Sequence, residues 1–285
     1  MEVLEFIQNA WGTSDATRFP GPQPVSIERR HFPLLKRQPY LVCEKTDGTR
    51  HLLVSMEAGV FTVNRAFKTE PVKIKIPKDT LLDGELVMAK SGKMLFMIYD
   101  AIRVKGVDLR RENLNVRLEA AKSAIKGIIK TVQAPFEVRV KSMWPLGSPI
   151  LDLNSFEYET DGLVFTPIAE PIRSGTHETM FKWKPRNRIT VDFLVMRGEF
   201  LFIQEKGYPE HVAQLNLHNK RLDLADGTIV ECGYGDLGWF VEKVRTDKIH
   251  PNNTRTFERT CVNLREAITI EEFSFGTKPD TTHPA

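Results

Sequence analysis

Lys45-Thr46-Asp47-Gly48-Thr49-Arg50 is the stretch on which the reading of this chain turns. An apolar run, Tyr40 to Cys43, leads towards the lysine, and a turn of small residues separates it from the arginine. Taken alone, the hexapeptide fits a tight turn between two strands, because Asp-Gly accepts positive φ in a hairpin. Whether Lys45 is a surface charge or a nucleophile depends on what accompanies it.

The 285 residues allow one large domain or two unequal ones, with ample core. Hydrophobic residues make up 41% and charged residues 27%, the balance of a soluble globular protein. A net charge of +3 argues neither for nor against a nucleic acid partner. The charge is uneven, however, with eight Lys/Arg against three acids between Ile102 and Lys130, so a local patch could hold phosphate. Cys43, Cys232 and Cys261 form an odd set without Cys-x-x-Cys or Cys/His ligand spacing. That pattern disfavours a disulfide framework or zinc site and points to a reducing compartment. Met1 to Trp11 lacks a basic leader, so no signal peptide is expected, and no apolar run has the length of a membrane span.

Along the chain, residues 1–12 read as a short amphipathic helix stopped by Gly12. Phe19 to Ser26 holds three prolines in eight residues, which composition alone reads as a rigid surface loop. Tyr40–Glu44, Arg50–Ser55 and Gly59–Val63 read as antiparallel strands, and Pro71–Pro77 as a half-exposed one. Leu81–Val87 and Leu95–Ile102 have buried-strand length yet contain Asp83, Glu85 and Asp100. A carboxylate in a buried strand is costly unless it is paired or binds a cation. Asn115–Thr131 is expected to be a helix with lysines on its solvated face, and Phe136–Met143 a strand. Tyr158–Pro167 repeats the pattern of Asp-Gly leading into an apolar strand. After a polar loop, Arg173 to Thr179, alternation places Lys182 and Lys184 on one strand face. Pro185–Arg188 reads as a hinge, beyond which short strands at regular spacing suit a small β-barrel, followed by a helix over Glu258–Ala267.

The polar residues at strand ends and Gly turns form an inventory: Lys45, Arg50, Arg65, Glu85, Tyr99, Lys141, Asp161, Lys182, Lys184, Arg245, Asp247 and Lys248. Cations to neutralise phosphate oxygens, carboxylates to hold Mg²⁺ and apolar or aromatic groups to sandwich a base are what phosphoryl or nucleotidyl transfer requires. A lysine can serve as nucleophile there once neighbouring cations and burial favour the free amine.

In order and spacing these residues resemble the covalent nucleotidyltransferases, the superfamily of mRNA capping guanylyltransferases and ATP-dependent polynucleotide ligases. Lys45-Thr46-Asp47-Gly48-Thr49-Arg50 matches the Lys-x-Asp-Gly-x-Arg motif. Asp83-Gly84-Glu85, Tyr99-Asp100, Asp161-Gly162-Leu163-Val164 and Lys182-Trp183-Lys184-Pro185 resemble the motifs that follow it. The capping branch is indicated by Phe19-Pro20-Gly21-x-Gln23-Pro24-Val25-Ser26, by Val138 to Lys141, and by Arg245-Thr246-Asp247-Lys248 with Pro251-Asn252.

The resemblance implies an α+β fold. A nucleotidyltransferase domain of antiparallel sheets with helices spans 1–188, an OB-fold β-barrel 189–270, and a tail 271–285 that can pack back on the first domain. Lys45 would carry GMP from GTP to the 5′-diphosphate end of RNA, forming the GpppN cap. Thr46 would take part in GTP binding, and Arg50 and Arg65 would bind ribose or phosphate. Glu85 would bind ribose or sit near the metal, and Asp161 near the metal or Lys45. Guanine would stack between Tyr99 and Val164, with Lys141 reading its edge. Lys182 and Lys184 would bind the α-phosphate. Arg245, Asp247 and Lys248 would orient the leaving pyrophosphate after closure of the OB domain. Mg²⁺ or Mn²⁺ would be required. No room is left for an RNA triphosphatase or a cap methyltransferase, which would be separate partners. A cellular version would work in the nucleus, a viral one in the cytoplasm, and no membrane is implied. Two other readings remain open at this point: a ligase using ATP, and a non-catalytic homologue that binds RNA ends. Asp100 could pair with a nearby lysine, Asp192 could serve the fifth motif or a strand-end turn, Tyr99 could be core, and Cys43 reads as core.

Overall fold

The computed structural model describes residues 2–15, 17–126, 128, 134–149, 152–216 and 223–274. In chain order the elements are α1 (Val3–Trp11), β1 (Pro22–Ser26), α2 (Phe32–Arg37), β2 (Tyr40–Thr46), β3 (Thr49–Met56), β4 (Gly59–Asn64), β5 (Thr69–Val72), β6 (Thr80–Met88), β7 (Met94–Val104) and β8 (Val107–Asp108). There follow α3 (Leu114–Ile125), β9 (Glu137–Val140), β10 (Trp144–Pro145), β11 (Thr160–Pro167), β12 (Gly175–Trp183), β13 (Thr190–Met196), β14 (Phe200–Glu205), β15 (Tyr208–Gln214), β16 (Ile229–Gly235), β17 (Gly238–Val244) and α4 (Thr254–Glu266). They form two compact units. One is built on Pro33–Trp183 with the chain up to Val25, the other on Lys184–Glu272 with Ser26–Phe32.

The first unit contains two sheets. One has the order β1-β12-β11-β2-β10; the other has β5-β4-β3-β6-β7-β8, with β9 joining β7 in parallel. Strands β3, β6 and β7 are near-continuous apolar runs because the second sheet is covered on both faces. Leu52, Val54 and Leu81 meet Phe6, Ile7 and Trp11 of α1. Leu53, Leu82 and Phe96 lie in the core cluster that includes Ala121 and Ala124 of α3.

The hexapeptide is not a hairpin. Strand β2 ends at Thr46 in one sheet and β3 begins at Thr49 in the other, so Asp47-Gly48 is the crossing between sheets. Gly48 does not take a positive φ. It is required by close approach instead, since a Cβ there would overlap the Leu86 carbonyl oxygen.

The proline-rich segment is also not a surface loop. Pro20, Gly21 and Pro22 are buried, and β1 is an edge strand, a position that tolerates residues without an N–H. Beyond Val72 the alternation of buried Val72, Ile74 and Ile76 with exposed lysines holds, but the ladder stops. The polar loop expected at 173–179 is, from Gly175, the start of β12, which buries His177 and Met180. Helix α3 starts at Leu114, capped by Asn113, whose side chain accepts from Val116 N, and ends at Ile125; residues 127 and 129–131 of the expected helix lie outside the described residues.

The second unit is a sheet of order β15-β14-β13-β16-β17. Leu215, just after β15, forms a parallel bridge with Trp239 of β17 and so joins the two edges. This is the strand order of a five-stranded OB-type barrel. Val191, Phe193, Leu201, Val230 and Trp239 fill it, and α4 adds Phe257 and Leu264. The end of the strand expected at Leu217, and the tail beyond Ser274, lie outside the described residues.

Candidate active site

A cavity of about 710 Å³ opens in the first unit, bordered by β1, β2, β3, the turn after β4, β6, β7, β11 and β12. Of the residues singled out in the sequence, it gathers Lys45, Arg50, Arg65, Glu85, Tyr99, Lys141, Val164 and Lys182.

Lys45 lies one residue before the end of β2, opposite Gly162 of β11. The pairing steps from Thr160↔Thr46 to Gly162↔Lys45, so Asp161 is the extra residue of a β-bulge. A bulge re-aims a side chain that a regular strand would direct elsewhere. Lys45 Nζ donates to Asp161 Oδ1 at 2.8 Å. The lysine side chain is 25% exposed and its partner 9%, so the amine is the accessible member of the pair.

A second bulge shapes the opposite wall. Pairing of β6 with β7 steps from Asp83↔Asp100 to Gly84↔Ile98, leaving Tyr99 as the extra residue. Its hydroxyl donates to Asp83 Oδ1 at 2.9 Å, and burial holds the phenol well above the ordinary tyrosine range. Asp83 also accepts from Arg50 Nε at 3.0 Å and Arg50 NH2 at 2.5 Å. The remaining guanidinium nitrogen donates to Pro22 O at 2.6 Å, and the Phe19 and Tyr99 rings lie 5.1 and 5.7 Å from the guanidinium carbon. Arg50 therefore ties the proline-rich edge strand to β6 as well as bordering the cavity.

Lys141, just after β9, is buried beneath Lys45's strand. Its Nζ donates to Glu44 O at 2.9 Å and Thr46 Oγ1 at 3.0 Å, and pairs with Glu44 Oε1 at 3.3 Å. Thr46 passes the connection on, donating its hydroxyl to the Glu85 carboxylate. Tyr158 donates to Glu44 Oε1 at 2.9 Å. Arg65 donates to Gln23 Oε1 at 3.3 Å, and Val164 stands opposite Lys182 on the paired strands. Cys43 is buried, as a core residue is, but also borders the cavity; burial pushes its thiol up to about 12, so it is not a nucleophile at neutral pH.

Asp100 is buried in the core, although it also borders the cavity. It pairs with Arg117 of α3 at 2.7 and 3.0 Å, not with a lysine, and both side chains are buried. Lys184, Arg245, Asp247 and Lys248 belong to the second unit. There Arg245 NH1 donates to Asp192 Oδ1 at 2.8 Å and Lys248 Nζ to Asp192 Oδ2 at 2.6 Å. Arg245 Nε donates to Asp247 at 2.9 Å, and that hydrogen bond holds the Asp247 carboxyl down at about 2.

No group of three or more His, Cys, Asp or Glu side chains among the described residues could by itself hold a metal ion. Glu85 borders the cavity and Asp161 contacts Lys45. Mg²⁺ is commonly bound by one or two carboxylates together with substrate phosphates and waters, so this donor set fits a metal that arrives with phosphate.

Glu44, Asp83, Tyr158 and Gln23 escaped the sequence reading as members of the site. A signal existed for Asp83, which shares a strand face with Glu85, and for Glu44, a carboxylate inside an apolar run. None existed for Tyr158, whose contact with Glu44 spans 114 residues.

A lysine in a cation-lined cavity between two sheets, with an OB-type barrel following in the chain, places the protein in the nucleotidyltransferase class. The catalytic-domain model of mRNA capping enzymes matches residues 2–186, and their C-terminal-domain model matches residues 172–274. The chain belongs to the mRNA capping enzyme family. It is 35% identical over 330 residues to the mRNA-capping enzyme subunit alpha of Schizosaccharomyces pombe, covering 92% of this chain and 80% of that protein. It is 30% identical over 295 residues to the mRNA-capping enzyme of Mus musculus, covering 90% of this chain and 49% of that protein. The chain thus spans about half the length of the animal relatives it matches. Among solved structures, it is similar to mycobacterial DNA ligase D complexed with ATP and MES, at TM-score 0.46 and 10% identity, covering 81% of this chain and 98% of that one.

Proposed function

We propose that the chain is an mRNA guanylyltransferase. Lys45 Nζ attacks the α-phosphorus of GTP; the N–P bond forms, the bond to the β-phosphate breaks, and pyrophosphate leaves. A terminal phosphate oxygen of a 5′-diphosphate RNA then attacks the same phosphorus, releasing Lys45 and forming GpppN-RNA. The observation that carries this reading is the accessible Lys45 amine held 2.8 Å from Asp161 at a cavity large enough for a nucleotide. Before attack the ammonium must lose a proton, and Asp161 Oδ1 is the acceptor in contact with it.

Arg65 and Lys182 neutralise phosphate oxygens, joined by Lys184, and Arg50 holds the wall that faces the ribose. Guanine lies between Tyr99 and Val164 near Thr46 and Lys141. Arg245, Asp247 and Lys248 orient the pyrophosphate. Glu85 and Asp161 are the groups that would hold Mg²⁺ or Mn²⁺, whose charge further neutralises the phosphates. A separate RNA triphosphatase supplies the diphosphate end, and a cap methyltransferase consumes the product. The relatives are eukaryotic, which favours a nuclear setting.

The test is incubation with Mg²⁺ and α-labelled GTP or ATP, followed by a denaturing gel. Acid-labile label from GTP alone, absent in Lys45→Ala and after chelation, is the expected result. Label from ATP would support a ligase instead, and no label from either would support an RNA-end-binding protein.

A further inference from the structure

Lys141 is 4% exposed and Glu44 1%, so an ammonium and a carboxylate have both been taken out of water beneath Lys45. An isolated buried charge is strongly unfavourable and is retained only with a partner and satisfied hydrogen bonds. Glu44 is that partner, and it is itself fixed from behind by Tyr158. Lys141 also bonds to both residues that flank Lys45, the Glu44 carbonyl on one side and the Thr46 hydroxyl on the other. From Thr46 the hydrogen bonds continue to Glu85 at the cavity wall. Tyr158, Glu44, Lys141, Thr46 and Glu85 thus form one continuous chain running from the core to the cavity.

We propose that Glu44 is a positioning residue that makes Lys141 a fixed cationic donor at the cavity and thereby sets the preference for guanine over adenine. The inference rests on the guanylyltransferase reading. An ammonium has three donors and no acceptor. Guanine offers a carbonyl acceptor at its six position, whereas adenine offers an amino donor there. A lysine held in place by its two hydrogen bonds, to Glu44 O and Thr46 Oγ1, keeps one donor for the first and leaves the second unpaired in a desolvated site, the kind of mismatch that discriminates strongly. Without the Glu44 charge, Lys141 is free to shift away from the base edge, which relieves the mismatch with the adenine amino group. Glu44 acts wholly through Lys141, because it is buried and is not among the residues bordering the cavity.

The test compares wild type with Glu44→Gln and Tyr158→Phe. The readout is formation of labelled enzyme–nucleotide across concentration series of GTP and of ATP, alongside thermal melting. Glu44→Gln keeps the shape and an acceptor oxygen while removing the charge. It should raise labelling from ATP relative to labelling from GTP at least tenfold above the wild-type background. Tyr158→Phe, which keeps both charges, should shift the ratio less and in the same direction. It decides the matter if Glu44→Gln does not fold. A variant that melts as a folded protein and loses activity towards both nucleotides equally, leaving the ratio unchanged, would overturn the proposal and make Glu44 purely structural. Wild type that takes no label from either nucleotide would overturn the guanylyltransferase reading itself, and the inference with it.

Discussion

Asp161, the extra residue of a bulge in β11, places its carboxylate 2.8 Å from the amine of Lys45, 116 residues earlier in the chain. A carboxylate in contact with a nucleophilic amine can take its proton, and positioned acid–base groups contribute about 10²–10⁴-fold to rates. Asp161→Asn keeps the shape and the hydrogen-bonding oxygen but removes the base. The expected outcome is loss of enzyme–GMP formation by at least about 100-fold, with circular dichroism and melting close to wild type. Retention of full activity would remove Asp161 from the chemistry.

Gly48, in the crossing that follows Lys45, and Gly84, within β6, both sit where neighbouring groups approach the backbone closely. A Cβ at Gly48 would overlap the Leu86 carbonyl oxygen, and one at Gly84 would come within 2.6 Å of the Phe96 ring and 2.7 Å of the Met97 carbonyl oxygen. Backbone cannot yield as a flexible side chain can, and overpacking of this kind costs about 1–3 kcal/mol. Gly48→Ala and Gly84→Ala should each lower unfolding stability by that order in denaturant titrations. By contrast, Gly92→Ala, with no neighbour within 4 Å of its Cβ, should be limited to the smaller strain of its positive φ.

Local sequence signals disclosed most of the strands, because buried runs such as Leu81–Val87 and Leu95–Ile102 are apolar nearly throughout. They also pointed to the residues that converge on the cavity, since a charged group beside a Gly turn in such a run must have a purpose. Pairing register was not legible. The bulges at Asp161 and Tyr99 exist only relative to a partner strand, and nothing within either strand announces the extra residue. The sheet crossing at Asp47-Gly48 looked like a hairpin for the same reason, since Asp-Gly marks a change of direction without stating which strand follows. Nothing within the helix marks Arg117 as buried, because its partner, Asp100, lies on another element.

The Asp100–Arg117 pair is fully buried, and two further carbonyls, of Glu112 and Glu170, accept from the same guanidinium. Removing one partner of such a pair leaves an uncompensated charge at a cost of about 3–5 kcal/mol. Arg117→Met and Asp100→Leu should each destabilise by this order. The double variant should be more stable than either single one, since it buries no lone charge. A double-mutant cycle from chemical denaturation reads the coupling directly.

His177 on β12 is buried, and that burial lowers its pKa below the usual histidine value; Glu170 pulls it back up, while Arg173 and Arg117 add to the lowering. Folded protein therefore binds fewer protons than unfolded chain in the interval below about pH 6.5. The stability due to this group is present above that value and is lost as pH falls through the folded-state pKa. Unfolding free energy measured from pH 7.5 down to 5 should decline in wild type. His31 of the second unit, also lowered chiefly by burial, contributes a decline of the same sign. His177→Gln should remove one share of that slope and leave the His31 share, so the difference between the two curves isolates His177. Identical slopes would show that His177 titrates normally.

Asp192 on β13 is the anchor for two cations from one turn, Arg245 at 2.8 Å and Lys248 at 2.6 Å, and Asn252 closes the arrangement by accepting from Asp192 N at 2.9 Å. Charge-assisted hydrogen bonds contribute about 1.5–3 kcal/mol each; Arg245 is also held by Asp247 and by Glu231 at 3.2 Å, but Asp192 is the carboxylate that holds both cations. Asp192→Asn keeps the backbone contacts and weakens both cation contacts. If Arg245 and Lys248 orient pyrophosphate, the variant should form enzyme–GMP more than tenfold more slowly, and pyrophosphate should reverse the reaction with correspondingly weakened affinity. Transfer of GMP from enzyme already labelled, which involves no pyrophosphate, should be affected far less. An equal loss in both half-reactions would instead assign Asp192 to the stability of the barrel alone, and melting of the variant would then show a matching decrease.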